Sequence, residues 1–232
     1  MPLLGSSKLE RFKEFLTKSS GRQGQSRPAT AAMTDFERAE RLWAQYGRPR
    51  IILSFGARGG GAEFALWLHA QILRRKGLRD TEVYLDTVAM LKEGIGETHL
   101  KLAGTGTAGI YKAYNPAWRG YFEYALYHAS VMVFIVTQEW YESPNCREEH
   151  AWFIKLNDMT PNSLHGISLV MEDDALSSDK PAPVNALPNT IPLHAKRQWV
   201  VSDATQRRKL TGNQKNLWVI DEVDLNRLLG RL

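Results

Sequence analysis

Apolar blocks alternate with amphipathic stretches along most of the chain, and the two patterns predict different elements. Val131–Val136 is an unbroken run of β-branched and large apolar residues, which is the pattern of a strand covered on both faces. Residues 51–55, 82–86 and 166–171 read as three further strands. Between the first two of these lies an amphipathic helix over about 62–76, with Phe64, Ala65, Leu68, Ile72 and Leu73 on one side, completing a β-α-β unit. Asn115 and Pro116 open a helix whose Trp118, Tyr121, Phe122, Ala125 and Ala129 form one stripe leading into the strand at Val131. Beyond that strand a short loop precedes Ser143 and Pro144, the N-cap and first residue of a helix over 144–157. Cys146, Glu149, His150 and Phe153 then share its inward face, while Glu148 is expected to face solvent.

The two ends of the chain are patterned differently. Residues 1–18 carry Leu9, Phe12 and Leu16 at helical spacing, and 19–32 is rich in small and polar residues, so 1–33 reads as an amphipathic helix and linker. Thr34 and Glu37 form a capping box, and Phe36, Ala39, Trp43 and Tyr46 make the apolar stripe of a docking helix over 34–47, closed by Gly47 and Pro49. The main domain is expected over 48–232. Within it, 87–114 carries glycines at 94, 96, 104, 106 and 109 and reads as a long mobile loop. Residues 173–196 hold four prolines and read as irregular, 198–201 or 217–220 supplies a fifth strand, and 224–232 a last helix. Strands alternating with helices predict an α/β, flavodoxin-like open parallel sheet of about five strands with helices on both faces, preceded by a helical N-terminal arm.

Composition changes this picture little. Hydrophobic content of 43% and charged content of 24% are those of a globular protein. The net charge of +5 is spread among acids with no long basic run, so nucleic acid is not an expected partner. Cys146 is the single cysteine, which excludes an intrachain disulfide and a cysteine-rich zinc site. No apolar run is long enough to span a bilayer, and Lys8, Arg11 and Lys13 are followed by no apolar segment, so a cytoplasmic protein is expected.

Several constellations of residues bear on chemistry. The loop around Gly56 to Gly61 matches neither G-x-G-x-x-G nor a P-loop, although its amides near a helix N-terminus and Arg58 could meet a phosphate. His194 and Lys196 resemble an H-x-K nuclease motif, but the acid arrives too late, at Asp203. The histidines show no metal-ligand pair on a helix, and Glu172, Asp173 and Asp174 read as a solvated turn, so no metal is expected. Glu149 lies beyond the end of a buried strand, where open α/β sheets carry ligand sites.

Taken together, the strand IILSF with its loop and helix, the strand VYLD, the helix YFEYALYHAS running into VMVFIVT, and SPNCREEHAWF resemble the Toll/interleukin-1 receptor (TIR) domain over roughly 48–232, with the last third matching poorly. The resemblance implies that Glu149 matches the glutamate of the helical W-x-x-x-E or W-C-x-x-E segment of NAD-cleaving members, and Cys146 the cysteine of the latter form. Asn145 stands where the family usually has tryptophan. It further implies that Phe55, with Ser54, Gly56 and Arg58 beside it, lines the nucleotide pocket, that Asp86 is the acid ending the second strand, and that Trp118 is a pocket candidate. The implied activity is NAD glycohydrolase or cyclase, giving nicotinamide and ADP-ribose or a cyclic isomer in bacterial antiviral defence, with NAD as substrate and no cofactor. Self-association of TIR domains, controlled by the arm, and a downstream effector or regulatory protein are the implied partners. Rival readings are a non-enzymatic TIR adaptor or host-directed effector, and a nucleoside deoxyribosyltransferase-like enzyme.

Overall fold

The computed structural model describes residues 33–56, 61–86, 89, 118–171, 190–193, 196–199 and 216–232. The helix and linker expected before residue 33, Arg58 and its loop, the long loop over 87–114 apart from Ala89, and the acidic turn at 172–174 lie outside the described residues.

The chain order is α1 (Asp35–Tyr46), β1 (Ile51–Phe55), α2 (Gly61–Lys76), a 3-10 turn (Asp80–Glu82), β2 (Val83–Tyr84), α3 (Trp118–His128), β3 (Val131–Val136), α4 (Gln138–Glu142), α5 (Pro144–Met159), β4 (His165–Met171), β5 (Thr190–Leu193), β6 (Lys196–Trp199), β7 (Asn216–Val219) and α6 (Glu222–Leu229). Five strands form one sheet in the order β2-β1-β3-β4-β5, and every neighbouring pair is parallel. The fold is therefore an α/β open parallel sheet. All six residues of β3 are buried, as a central strand covered on both faces requires.

Side chains alternate across β1 and β3, so each feeds two apolar layers. Ile52, Met132, Phe134 and Val136 pack towards Trp43, Tyr121 and Phe153 from α1, α3 and α5. On the opposite face Leu53, Val133 and Ile135 pack with Phe64, Leu68 and Leu228 from α2 and α6. At the outer ends of that second layer, Arg75 of α2 forms an ion pair with Glu222 of α6.

The first helix is held by its own caps and by an aromatic contact. The Thr34 hydroxyl accepts from the Glu37 amide at 3.2 Å while the Glu37 carboxylate accepts from the Thr34 amide at 2.7 Å. Gly47 ends the helix at φ 102°, in the region where a side chain is strained. α1 approaches α3 so closely that a Cβ on Gly120 would lie 2.5 Å from Asp35 Cβ and 2.7 Å from the Phe36 amide nitrogen. Gly120→Ala should therefore push α1 outward and cost about 1–3 kcal/mol, read as a lower urea midpoint with an unchanged slope.

Four expectations are corrected. The second strand is only two residues long, because the Glu82 carboxylate accepts from the Arg79 amide at 2.9 Å and holds 80–82 in a 3-10 turn. Asp86 consequently does not end a strand: it is helical, in a turn where the Ala89 amide donates to the Leu85 carbonyl at 3.0 Å. The stretch after β3 contains a helix rather than only a loop, because Thr137 caps α4 by accepting from the Trp140 amide. The fifth strand of the sheet is β5, at the edge, where Pro192 is tolerated. Of the two segments expected in that place, 198–199 and 217–219 belong instead to an antiparallel β6-β7 sheet.

Candidate functional site

In the order β2-β1-β3-β4-β5 the chain winds in opposite directions from β1 and β3, so these two strands flank the switch point of the sheet. At such a point the connections leave to opposite sides, and the carboxyl ends of the strands open a crevice. Ser54 comes from the end of β1, and α4 and α5 follow β3 directly.

The start of α5 is fixed by its sequence. Ser143 caps it, accepting from the Cys146 amide at 3.3 Å, and Pro144 takes the first position, where its missing amide costs nothing. This sets Cys146 and Glu149 on the face turned to β1. The Ser54 hydroxyl donates to Glu149 Oε2 at 2.6 Å, and the Trp140 indole N–H donates to Ser54 Oγ at 3.0 Å. The Cys146 thiol donates to the Phe55 carbonyl at 3.2 Å. Gly56 lets this layer close, since a Cβ there would lie 2.5 Å from the Trp140 backbone nitrogen. The result is a chain of donors running from Trp140 through Ser54 to one carboxyl group.

Burial dominates the electrostatics. It pushes the Glu149 carboxyl from 4.5 up to about 8; the Ser54 hydrogen bond opposes the rise, and the charges of Asp86 and Glu148 add to it. The Cys146 thiol is pushed well above its usual range by burial and then by Glu149, which makes it a structural thiol rather than a nucleophile. His150 is lowered by burial, so its ring stays neutral among Phe134, Trp140 and Phe153. Near neutral pH the site thus presents a carboxyl that holds its proton until something favours the anion.

Ser54, Gly56, Cys146 and Glu149 come together as a constellation, and Asp86 is near enough for its charge to reach Glu149. Phe55 contributes its carbonyl, while its ring packs on the opposite, α2 side of the sheet. Trp118 is 7% exposed and lies in an aromatic stack with Trp152 and Phe122, capped by the Arg119 guanidinium. Glu148 does not simply face water: it is part-buried and accepts from Arg119 Nε and Nη2 at 2.9 and 2.8 Å. Arg58 lies outside the described residues. Trp140 is the participant that sequence reasoning missed. Its only signal was a tryptophan three residues after a capping threonine, in a stretch too short to show helical periodicity.

Comparison with known proteins adds one likeness. The chain is similar to a cyclic ADP-ribose synthase. The relative is the 3' cyclic ADP-D-ribose synthase HopAM1 of Pseudomonas syringae pv. tomato, 24% identical over 181 residues that make up 75% of this chain and 60% of the relative. The chain thus spans less than two thirds of the length of the relative it matches. No family model matches the chain, and no solved structure matches it significantly. Among the described residues no helix is long and apolar enough to cross a membrane, and no group of three or more His, Cys, Asp or Glu side chains could hold a metal ion.

Proposed function

We propose that this chain cleaves the bond between nicotinamide and ribose in NAD, as a TIR-type glycohydrolase or cyclase, with Glu149 as the acting carboxylate. The observation that carries the reading is the Glu149 carboxyl held by Ser54 at the switch point of a parallel sheet. The likeness to a cyclic ADP-ribose synthase supports it from a separate direction.

The chemistry explains why one carboxylate serves. Ordinary glycosides need an acid to protonate the leaving oxygen as well as a second carboxylate. Nicotinamide in NAD is a pyridinium, so it departs with the bonding pair as a neutral ring and takes up no proton. What remains is positive charge developing on the ribose ring, which a fixed anion stabilises. Water adding at the vacated carbon gives ADP-ribose and releases a proton; a nucleophilic atom of the same nucleotide adding there gives a cyclic isomer. The pyridinium ring of the substrate, placed beside Glu149, favours its ionisation, because an opposite charge nearby lowers a carboxyl pKa. Ser54, held by Trp140, keeps a hydrogen-bond donor on the anion as it forms.

The test is to incubate purified protein with NAD across a pH series and to follow nicotinamide and the ribose product by chromatography. Since the anion is the acting form, kcat/KM should climb with pH and level off above about 8, the value to which the free carboxyl is raised. Absence of turnover at every pH and protein concentration would favour a TIR adaptor acting by domain pairing. A pH profile that is flat through this range would remove Glu149 from the acting role.

A further inference from the structure

Tyr84 is the one residue of β2 on the Glu149 side of the sheet, and the reaction outlined above leaves it unused. Its ring is packed, 3% exposed, between Trp43 at 5.9 Å and Phe122 at 6.0 Å. Its hydroxyl is buried and has no hydrogen-bond partner among the described residues. A buried hydroxyl left without a partner is destabilising, so its presence in an aromatic layer where phenylalanine would fit calls for a reason.

The strand register supplies one. Tyr84 stands opposite Ile52. Ser54, two residues further along β1, projects from the same face. Two residues of strand cover about 6.5 Å, a distance that a tyrosine side chain spans. The Ser54 hydroxyl is the donor to Glu149, so the phenol lies on the same face of the sheet as that donor, one strand away, and near enough for the charge of Glu149 to reach it.

We propose that the Tyr84 hydroxyl is a second positioning group for Glu149, donating a hydrogen bond to its carboxylate once the acid is ionised and engaged with NAD. This rests on the reading of Glu149 as the group that acts on NAD. In the resting site the carboxyl keeps its proton and one donor, Ser54, serves it. When the proton leaves, the anion has acceptor positions to fill, and a rotamer change of Glu149 brings it to the phenol.

Burial first, then the charges of Asp86 and Glu149, push the Tyr84 phenol well above its usual range, so it remains a donor across the working pH. The titratable groups facing it are Asp86, Glu149 and, from α3, Tyr121. Those facing Glu149 are Asp86 from the turn after β2 and, on α5, Glu148 and Cys146. None of these neighbours of Glu149 is a cation, so hydrogen-bond donors are what can stabilise the anion, and Ser54 is the one already in place.

The experiment is Tyr84→Phe, which keeps the ring and removes only the oxygen, and should fold with an unchanged far-ultraviolet circular dichroism spectrum. The Glu149 carboxyl is titrated by NMR in protein carrying labelled glutamate, with Glu149→Gln assigning its resonance. In the presence of saturating NAD, kcat is followed over the same pH range. The inference expects the titration midpoint to rise by about one unit, a tenfold change in the ionisation equilibrium. It also expects kcat below the midpoint to fall on the order of tenfold with KM little changed. Ser54→Ala should move the midpoint in the same direction, and the double variant should move it further than either alone. A protein that does not cleave NAD, but whose midpoint still moves in Tyr84→Phe, defeats the proposed function and leaves the electrostatic link standing. Turnover in the native protein, with midpoint and kcat both unmoved in Tyr84→Phe, overturns the inference.

Discussion

Replacing Glu149 with glutamine should lower NAD cleavage by about 10²- to 10³-fold and, in the same protein, raise stability on the alkaline side. The two effects share one cause. Glutamine keeps the shape of the side chain and an acceptor for the Ser54 hydroxyl, which donates to Glu149 Oε2 at 2.6 Å in the native protein, but it cannot become an anion. The loss of charge removes stabilisation of the developing ribose cation, so kcat should fall much more than KM rises.

The stability effect follows from the proton balance. Unfolded, the carboxyl titrates near its ordinary value of 4.5; folded, burial holds it at about 8. Below 4.5 it is neutral in both states and costs nothing. Between 4.5 and about 8 the folded state binds more protons than the unfolded one, so stability declines as pH rises, and above about 8 the loss is complete. The native protein should therefore lose on the order of a few kcal/mol across that window, whereas Glu149→Gln should show a flatter curve. The check is urea unfolding of both proteins at matched pH values, beside NAD turnover. Parallel stability curves would show that Glu149 ionises freely in the folded protein, and full activity in the variant would sink its role.

Parts of this site were legible in the chain because their local signals and their tertiary fate agree. An unbroken apolar run such as β3 has few destinations other than a doubly covered strand. Ser143 and Pro144 mark a helix start whatever packs around it, so the face carrying Cys146 and Glu149 followed directly. β2 was overestimated because its apolar residues continue to Leu85, while only Val83 and Tyr84 find partners on β1. Its length is set by pairing, not by hydropathy. α4 was invisible because five residues cannot display a 3.6-residue period, although they carry the indole that holds Ser54. β5 was hidden by Pro192, which argues against a central strand but not against an edge. For Phe55 the sequence placed the residue at the right end of the right strand, but strand alternation turns its ring to the other face.

Trp43→Ala should be the most damaging single change outside the site, costing about 3–5 kcal/mol. The side chain is 2% exposed and lies flat on Tyr124 of α3, with ring centroids 5.1 Å apart and planes 5° from parallel. It also meets Tyr121 edge-on at 5.8 Å and Tyr84 at 5.9 Å, so one indole joins α1, α3 and the edge strand. Its N–H donates to the Thr81 carbonyl at 3.2 Å, and the Thr81 hydroxyl in turn donates to the Tyr46 carbonyl at 2.7 Å. Truncation thus opens a large cavity, removes the aromatic stack, and leaves the Thr81 carbonyl without that donor. Trp43→Phe separates these contributions, because it retains much of the stacked area and loses the hydrogen bond; its expected cost is smaller, about 1–2 kcal/mol. Urea unfolding followed by tryptophan fluorescence and by circular dichroism should show a lower midpoint for Trp43→Ala, with the two probes still coincident. Such coincidence would mean that α1 unfolds with the sheet as part of one cooperative unit. If the probes separate, or if the midpoint does not move, α1 is an appendage and its packing on α3 does not support the domain that carries Glu149.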